Sequence, residues 1–202
     1  MDPFYRGELK VGLKYLPSGG PKPLGTLVID LKQAKELPAV GSEGTSSVVK
    51  LYLLPNRKSS GKRKTGVVKN SVNPVWEEKF TFEDVNVNEL SCERVLEISV
   101  WSYDNSSHTF IGGLRLGPAP SSADEHKDCM DSIGDEVTHW EDMLANPGEW
   151  VEQWHTLRTT LNPRNMEIQV PTPAESPTPY SPVYAEENQE NLVSILYWCQ
   201  AE

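Results

Sequence analysis

Short apolar runs with a period of two, each broken by turn residues, constrain this chain most. LGTLVIDLK (24–32) sets Leu27, Ile29 and Leu31 at alternate positions. VLEISVWSY (95–103) puts Leu96, Ile98 and Val100 on one face, and Val95, Glu97, Ser99 and Trp101 on the other. Alternation of this kind turns one row of side chains inward and the next outward. The same reading makes strands of GELKVGLKYL (7–16), SSVVKLYLL (46–54), KTGVVKN (64–70), VWEEKFTFE (75–83), FIGGLRLG (110–117) and EQWHTLR (152–158). Turn signals such as Pro55 and Asn73-Pro74 separate them, which predicts an antiparallel β-sandwich. One segment departs from the pattern. In DEVTHWEDMLAN (135–146), Val137, Trp140 and Met143 or Leu144 recur at spacings of three and four, which predicts a helix. Asp135 and Glu136 lie in its first turn, where the helix dipole favours anions. Trp76, Trp101 and Trp140 are expected in the core.

Charge is distributed unevenly. The 202 residues carry a formal net charge of −10. Yet residues 54–76 hold Arg57, Lys58, Lys62, Arg63, Lys64 and Lys69, and no Asp or Glu falls between Glu43 and Glu77. The acidic whole excludes nucleic acid as the main partner, because phosphates would meet a repulsive field. A local basic patch still acts within a Debye length of roughly 8 Å. It therefore suits a small polyanion or an anionic surface. Its bland alternative is protection of an exposed sheet edge; nuclear import through GKRK (61–64) is a third reading.

Cys92, Cys129 and Cys199 fit no zinc spacing and read as reduced thiols. MDPFYRGELKVGLKYLP has no apolar signal core, and no run approaches the roughly 20 apolar residues of a membrane span. A cytoplasmic chain that touches a membrane peripherally is the expectation. VPTPAESPTPYSPVYAEENQEN (170–191) is rich in Pro, Ser and Glu and is expected to be disordered.

Taken in order, GELKVGLKYLP, LVIDLKQAKELP, VVKLYLLPNRKSSGKRKTGVVKNSVNPVWEEKFTF, LEISVWSYD and FIGGLRLG resemble a C2 domain. HWEDMLANPGEWVEQWHTL resembles the end of the second C2 domain of synaptotagmins and synaptotagmin-like proteins, where a helix precedes the last strand. The resemblance implies an all-β fold, an eight-stranded antiparallel C2 sandwich with that one helix, followed by a disordered C-terminal tail. It divides the chain into an extension (1–6), a C2 domain (7–162) and a tail (163–202). It also implies a role in vesicle traffic, tethering or exocytosis.

C2 domains that use calcium hold it with carboxylates from two loops, because calcium takes six to eight oxygens. Mapped onto this chain, the first-loop positions fall near Gly41 or Ser42 and at Ser46 or Ser47, with Glu43 nearby. The second-loop positions are Ser102, Asp104 and Thr109. Only Asp104 clearly remains, and it equally suits a hydrogen-bonded turn. Calcium binding is expected to be absent or very weak, with no other metal and no cofactor.

The family's basic strand implies binding of phosphoinositide and phosphatidylserine head groups by Lys58, Lys62, Arg63, Lys64 and Lys69. Four engaged cations supply on the order of 4 kcal/mol, which is millimolar-scale binding. Such binding gains most from a second anchor. Trp154, His155 and Leu157 match the family's W-H-x-L motif, which implies partner binding; ordinary strand packing is its alternative. Gly148-Glu149 stand where synaptotagmins often carry paired basic residues, so a second basic contact there is not expected. A protein-interaction module for SNAREs, Rab-pathway proteins, adaptors or another C2 domain, with lipid binding incidental, is the second functional reading. No G-x-S-x-G, G-x-x-x-x-G-K or H-E-x-x-H motif occurs, so no enzyme is expected. The carboxylates between 124 and 152 read as a solvated face or an interaction surface.

Overall fold

The computed structural model describes residues 4–40, 44–58, 61–103, 108–120 and 130–161. Eight strands and two helices follow in the order β1 (Glu8–Pro17), β2 (Leu24–Lys35), β3 (Ser47–Leu54), β4 (Arg63–Lys64), β5 (Val75–Asn86), α1 (Val87–Leu90), β6 (Val95–Tyr103), β7 (His108–Leu116), α2 (Asp135–Ala145) and β8 (Val151–Thr156). They form two four-stranded sheets, β5-β2-β1-β8 and β4-β3-β6-β7, antiparallel throughout. The all-β sandwich expected from alternation is the observed fold.

The core forms as the period-two rows dictate. Leu13, Leu27, Ile29 and Leu31 of the first sheet and Val49, Leu51, Ile98, Val100 and Leu114 of the second are fully buried in one cluster. α2 closes this core with Trp140 and Met143. The Trp140 indole Nε1 donates to the carbonyl of Leu90 at 2.9 Å, so the large ring is buried with its one polar group satisfied. α1 is a short turn not expected from the sequence; the Asn86 side chain caps it by accepting from the Asn88 N–H.

The expected strand at 64–70 is a correction. Regular pairing stops after Lys64, and only an isolated bridge from Val68 to Ser47 follows. Thr65 is the cause. Its Oγ1 accepts from the Val49 N–H at 3.0 Å while its own N–H reaches the Val49 carbonyl. The Gly66 N–H is then captured by Glu78 instead of a strand partner. A side-chain hydroxyl has replaced a ladder bond, and the backbone leaves the sheet.

Gly113 governs the far edge of the second sheet. A Cβ there would lie 2.6 Å from Leu161 Cδ1 and 2.8 Å from the Ile98 carbonyl. Its absence lets the segment after β8 cross β7, where Arg158 bridges to Gly113.

Candidate functional site

The outward face of the second sheet gathers cations that lie apart in sequence. In β3, Val49, Leu51 and Leu53 point into the core, so Lys50 and Tyr52 point out. Lys50 pairs directly with Lys64 of β4. Burial lowers the Lys50 pKa, and the charges of Lys62 and Lys64 lower it further. Like charges opposite one another across a ladder destabilise it. An arriving anion relieves that cost.

Lys50 is held in place from below. Its Nζ lies 3.9 Å from the centroid of the Trp101 ring. The Trp101 Nε1 donates to Ser99 Oγ at 2.9 Å, and Ser99 Oγ reaches the Lys50 carbonyl at 3.3 Å. Phe110 meets the indole edge-on, with centroids 5.4 Å apart. The core position expected for Trp101 is corrected: the ring is half-buried on the outer face, because β6 residues with odd numbers point outward.

The predicted lipid-binding residues separate into two groups. Lys62 and Lys64 stand beside Lys50. Arg63 does not join them. It pairs with Leu51, an inward position, and its guanidinium packs 4.9 Å from the Phe82 centroid and donates to the Thr81 carbonyl. Lys58 and Lys69 are exposed in the segments flanking β4. Lys50 is the residue that sequence reading misses.

The W-H-x-L residues also divide. His155 and Leu157 are 3% and 2% exposed, so in this conformation they pack inside the sandwich. Trp154 is half-buried, with the Lys35 ammonium 4.5 Å from its centroid. His155 Nε2 lies 2.7 Å from His139 Nδ1, and His139 Nε2 lies 2.9 Å from the Val151 carbonyl. The carbonyl can only accept, so His139 carries its proton on Nε2 and His155 Nε2 donates to His139 Nδ1. Burial lowers both pKa values, that of His155 to about 4.

The acidic residues near α2 are not all solvated, which corrects a further expectation. Asp131 and Glu136 are 6% and 7% exposed. They belong to an ionic network under the second sheet. Arg115, only 4% exposed at its side chain, donates to Glu97 Oε2 at 2.9 Å and to the Leu161 carbonyl at 2.7 Å, and pairs with Asp131 at 3.1 Å. Arg158 pairs with Asp131 at 2.9 Å and Glu136 at 3.2 Å. Arg57 grips Glu97 with two bonds of 2.8 Å. Burial raises the Glu136 pKa despite Arg158. The Arg115 pKa is raised: burial opposes its charge, but Asp131 and Glu97 outweigh it.

At the positions that the resemblance maps to calcium ligands, the described donors are hydroxyls. Ser47 and Ser102 are buried, and Ser46 Oγ is within 3.3 Å of Asn70 Oδ1. Thr109 is exposed. No group of three or more His, Cys, Asp or Glu placed to hold a metal ion occurs among the described residues. The described part of this donor set holds no carboxylate. Gly41, Ser42, Glu43 and Asp104 lie outside the described residues, as do Cys129, Cys199 and the tail from 162. Among the described residues no helix is long and apolar enough to cross a membrane.

Comparison with known proteins agrees with this architecture. The family model described as "C2 domain" matches residues 25–141. Synaptotagmin-like protein 2 of Mus musculus is 34% identical over 161 residues, and that of Bos taurus 33%. Each match covers 77% of this chain but 17% of the relative, so the chain spans about a sixth of the length of these proteins. Among solved structures, a C2 domain of RIM from Drosophila aligns with a TM-score of 0.53 at 22% identity, covering 76% of this chain and 99% of that one. A C2 domain of RIM2 aligns at 0.52 and 25%, covering 77% and 99%. The two-sheet topology and the match across residues 25–141 together establish that the chain belongs to the C2 domain family.

Proposed function

We propose that this chain docks on anionic phospholipid membranes without calcium, through the outward face of β3 and β4, and serves vesicle traffic there. The observation that carries the reading is the convergence of Lys62 and Lys64 on Lys50, whose ammonium group lies over the half-buried Trp101. Three ammonium groups held together against their own repulsion favour a multivalent anion. Lys58 and Lys69 add exposed positive charge in the segments flanking β4. Ser102 and Thr109, at two of the positions mapped for calcium ligands, support independence from calcium.

Each lysine near an anionic leaflet contributes about 1 kcal/mol. Lys62→Ala/Lys64→Ala therefore weakens binding to phosphatidylserine vesicles by about 2 kcal/mol, or roughly thirtyfold. Vesicle flotation with the two proteins in parallel measures this. An unchanged bound fraction would remove the lysine face from the account.

A second reading, docking on another protein, is favoured by one observation on the first sheet. Trp150 is 36% exposed, with Lys14 and Lys79 ammonium groups 4.9 and 5.3 Å from its ring centroid. No vesicle binding by the unaltered protein would move the weight to that reading.

A further inference from the structure

Lys50 differs from the lysines of the first sheet in what surrounds its amine. Lys10, Lys32, Lys35 and Lys79 each pair with a carboxylate. Among the described residues no carboxylate pairs with Lys50. Its cross-strand neighbours are Lys64 on β4 and Ser99 on β6, and its Nζ rests on the Trp101 ring. Glu97 lines the same cavity but is already taken. Arg57 bonds to both of its oxygens, and Arg115 to Oε2. A lysine that is desolvated, or set beside other cations, is held toward its neutral, nucleophilic form. Both conditions act on Lys50: burial first, then the charges of Lys62 and Lys64.

The amine lines a cavity of ≈ 390 Å³, within the range of small-molecule sites. Three cations, Lys50, Arg57 and Arg115, face one carboxylate in its lining. Such a field draws in a reagent whose leaving group is anionic. We infer that Lys50 is an acylation site, modified by an activated acyl group that carries phosphate. The Nζ lone pair attacks the acyl carbonyl carbon and forms a C–N bond. The bond from that carbon to a phosphate oxygen, or to the sulfur of a nucleotide-linked thioester, breaks and its electron pair leaves with the phosphate or thiolate. The amine proton passes to solvent. The product is a neutral amide, so the face loses one positive charge. The consequence rests on that face being the docking surface: acylation of Lys50 loosens the chain from anionic membranes.

The test treats the full chain briefly with acetyl phosphate or with acetyl-coenzyme A and reads acetylation at each lysine by mass spectrometry. Lys50 is expected to react about fivefold faster than the exposed Lys58 and Lys69. Its rate should level off at a lower pH than theirs, and its lead should shrink in Lys62→Ala/Lys64→Ala. A lead with both donors means that the site takes either source. A lead with one donor alone assigns the site to that class. Equal rates at the three lysines with both donors overturn the inference, as does a lead that persists in urea, where only local sequence is left to cause it. Flotation of the treated protein with phosphatidylserine vesicles tests the consequence. Acetylated Lys50 is expected to be about fivefold scarcer in the bound fraction than in the unbound one. Equal amounts in the two fractions overturn the proposed loosening. If the untreated protein does not bind these vesicles, the docking reading fails, while the acylation rates still decide the site.

Discussion

Arg115→Met is expected to lower stability by about 3–5 kcal/mol, the cost of removing one partner from a buried ion pair. The guanidinium joins β7 to β6 through Glu97, to the segment before α2 through Asp131, and to the segment after β8 through Leu161. Its removal leaves Glu97 and Asp131, 5% and 6% exposed, with reduced compensation. Arg158 still holds a contact to Asp131 and Arg57 one to Glu97, which sets the loss toward the lower end. Urea denaturation at pH 7.5 measures it. A loss under about 1 kcal/mol would mean that the network behaves like exposed ion pairs. A companion variant tests the mechanism. Replacing Arg115 and Asp131 together by apolar residues of similar volume recovers part of the loss, because the stranded carboxylate goes with its partner.

Acid is expected to weaken the fold through the histidine pair. Burial holds the His155 pKa down at about 4, against 6.5 ordinarily. The folded protein then binds fewer protons than the unfolded chain across that window. Stability is full above about pH 7 and falls as pH drops from 6.5 toward 4. Each pH step costs about 1.36 kcal/mol while the two states differ by one proton, so the loss approaches roughly 3 kcal/mol. His139 adds to it in the same direction, since burial lowers its pKa too, against the pull of the Val151 carbonyl and Asp142. Glu136 opposes it: its raised pKa makes folded-state protonation favourable as pH falls. The His155→Gln variant isolates the imidazole. Its amide still donates to His139 Nδ1 but does not titrate. Thermal unfolding between about pH 7.5 and pH 4.5, the window over which the two states differ in bound protons, should show a shallower decline in the variant. Identical slopes would contradict the assignment.

The residues that alternate strictly are legible from sequence. Leu27, Ile29, Leu31, Leu96, Ile98 and Val100 lie in the core where period two places them. The α2 helix and Trp140 follow from spacing in the same way. Lys50 is not legible, because a single lysine inside SSVVKLYLL reads as an interruption of an apolar run. Only the outward position of Lys50 and Tyr52 reveals the row it belongs to, and that requires the partner strand. Periodicity makes β4 too long, because it does not register that a threonine hydroxyl can take over a backbone bond. Sequence adjacency groups Arg63 with its neighbours, although adjacent strand residues face opposite ways.

The buried polar groups are the least legible. Glu97, Arg115, Asp131, Glu136 and Arg158 come together from β6, β7, α2 and its approach, and the segment after β8. Nothing local marks them as partners, so in sequence the acids near α2 look solvated. His139 and His155 lie 16 residues apart on a helix and a strand, and their contact appears only once both elements pack. Such long-range pairs depend on topology, which short-range pattern does not encode.

The central claim is calcium-independent docking through Lys50, Lys62 and Lys64. Its most direct test is co-sedimentation with liposomes containing phosphatidylserine and a phosphoinositide bisphosphate, in calcium and in chelator, over a range of salt. Equal binding is predicted in both conditions, falling as salt rises because exposed charges are screened. Binding that appears only with calcium would contradict it.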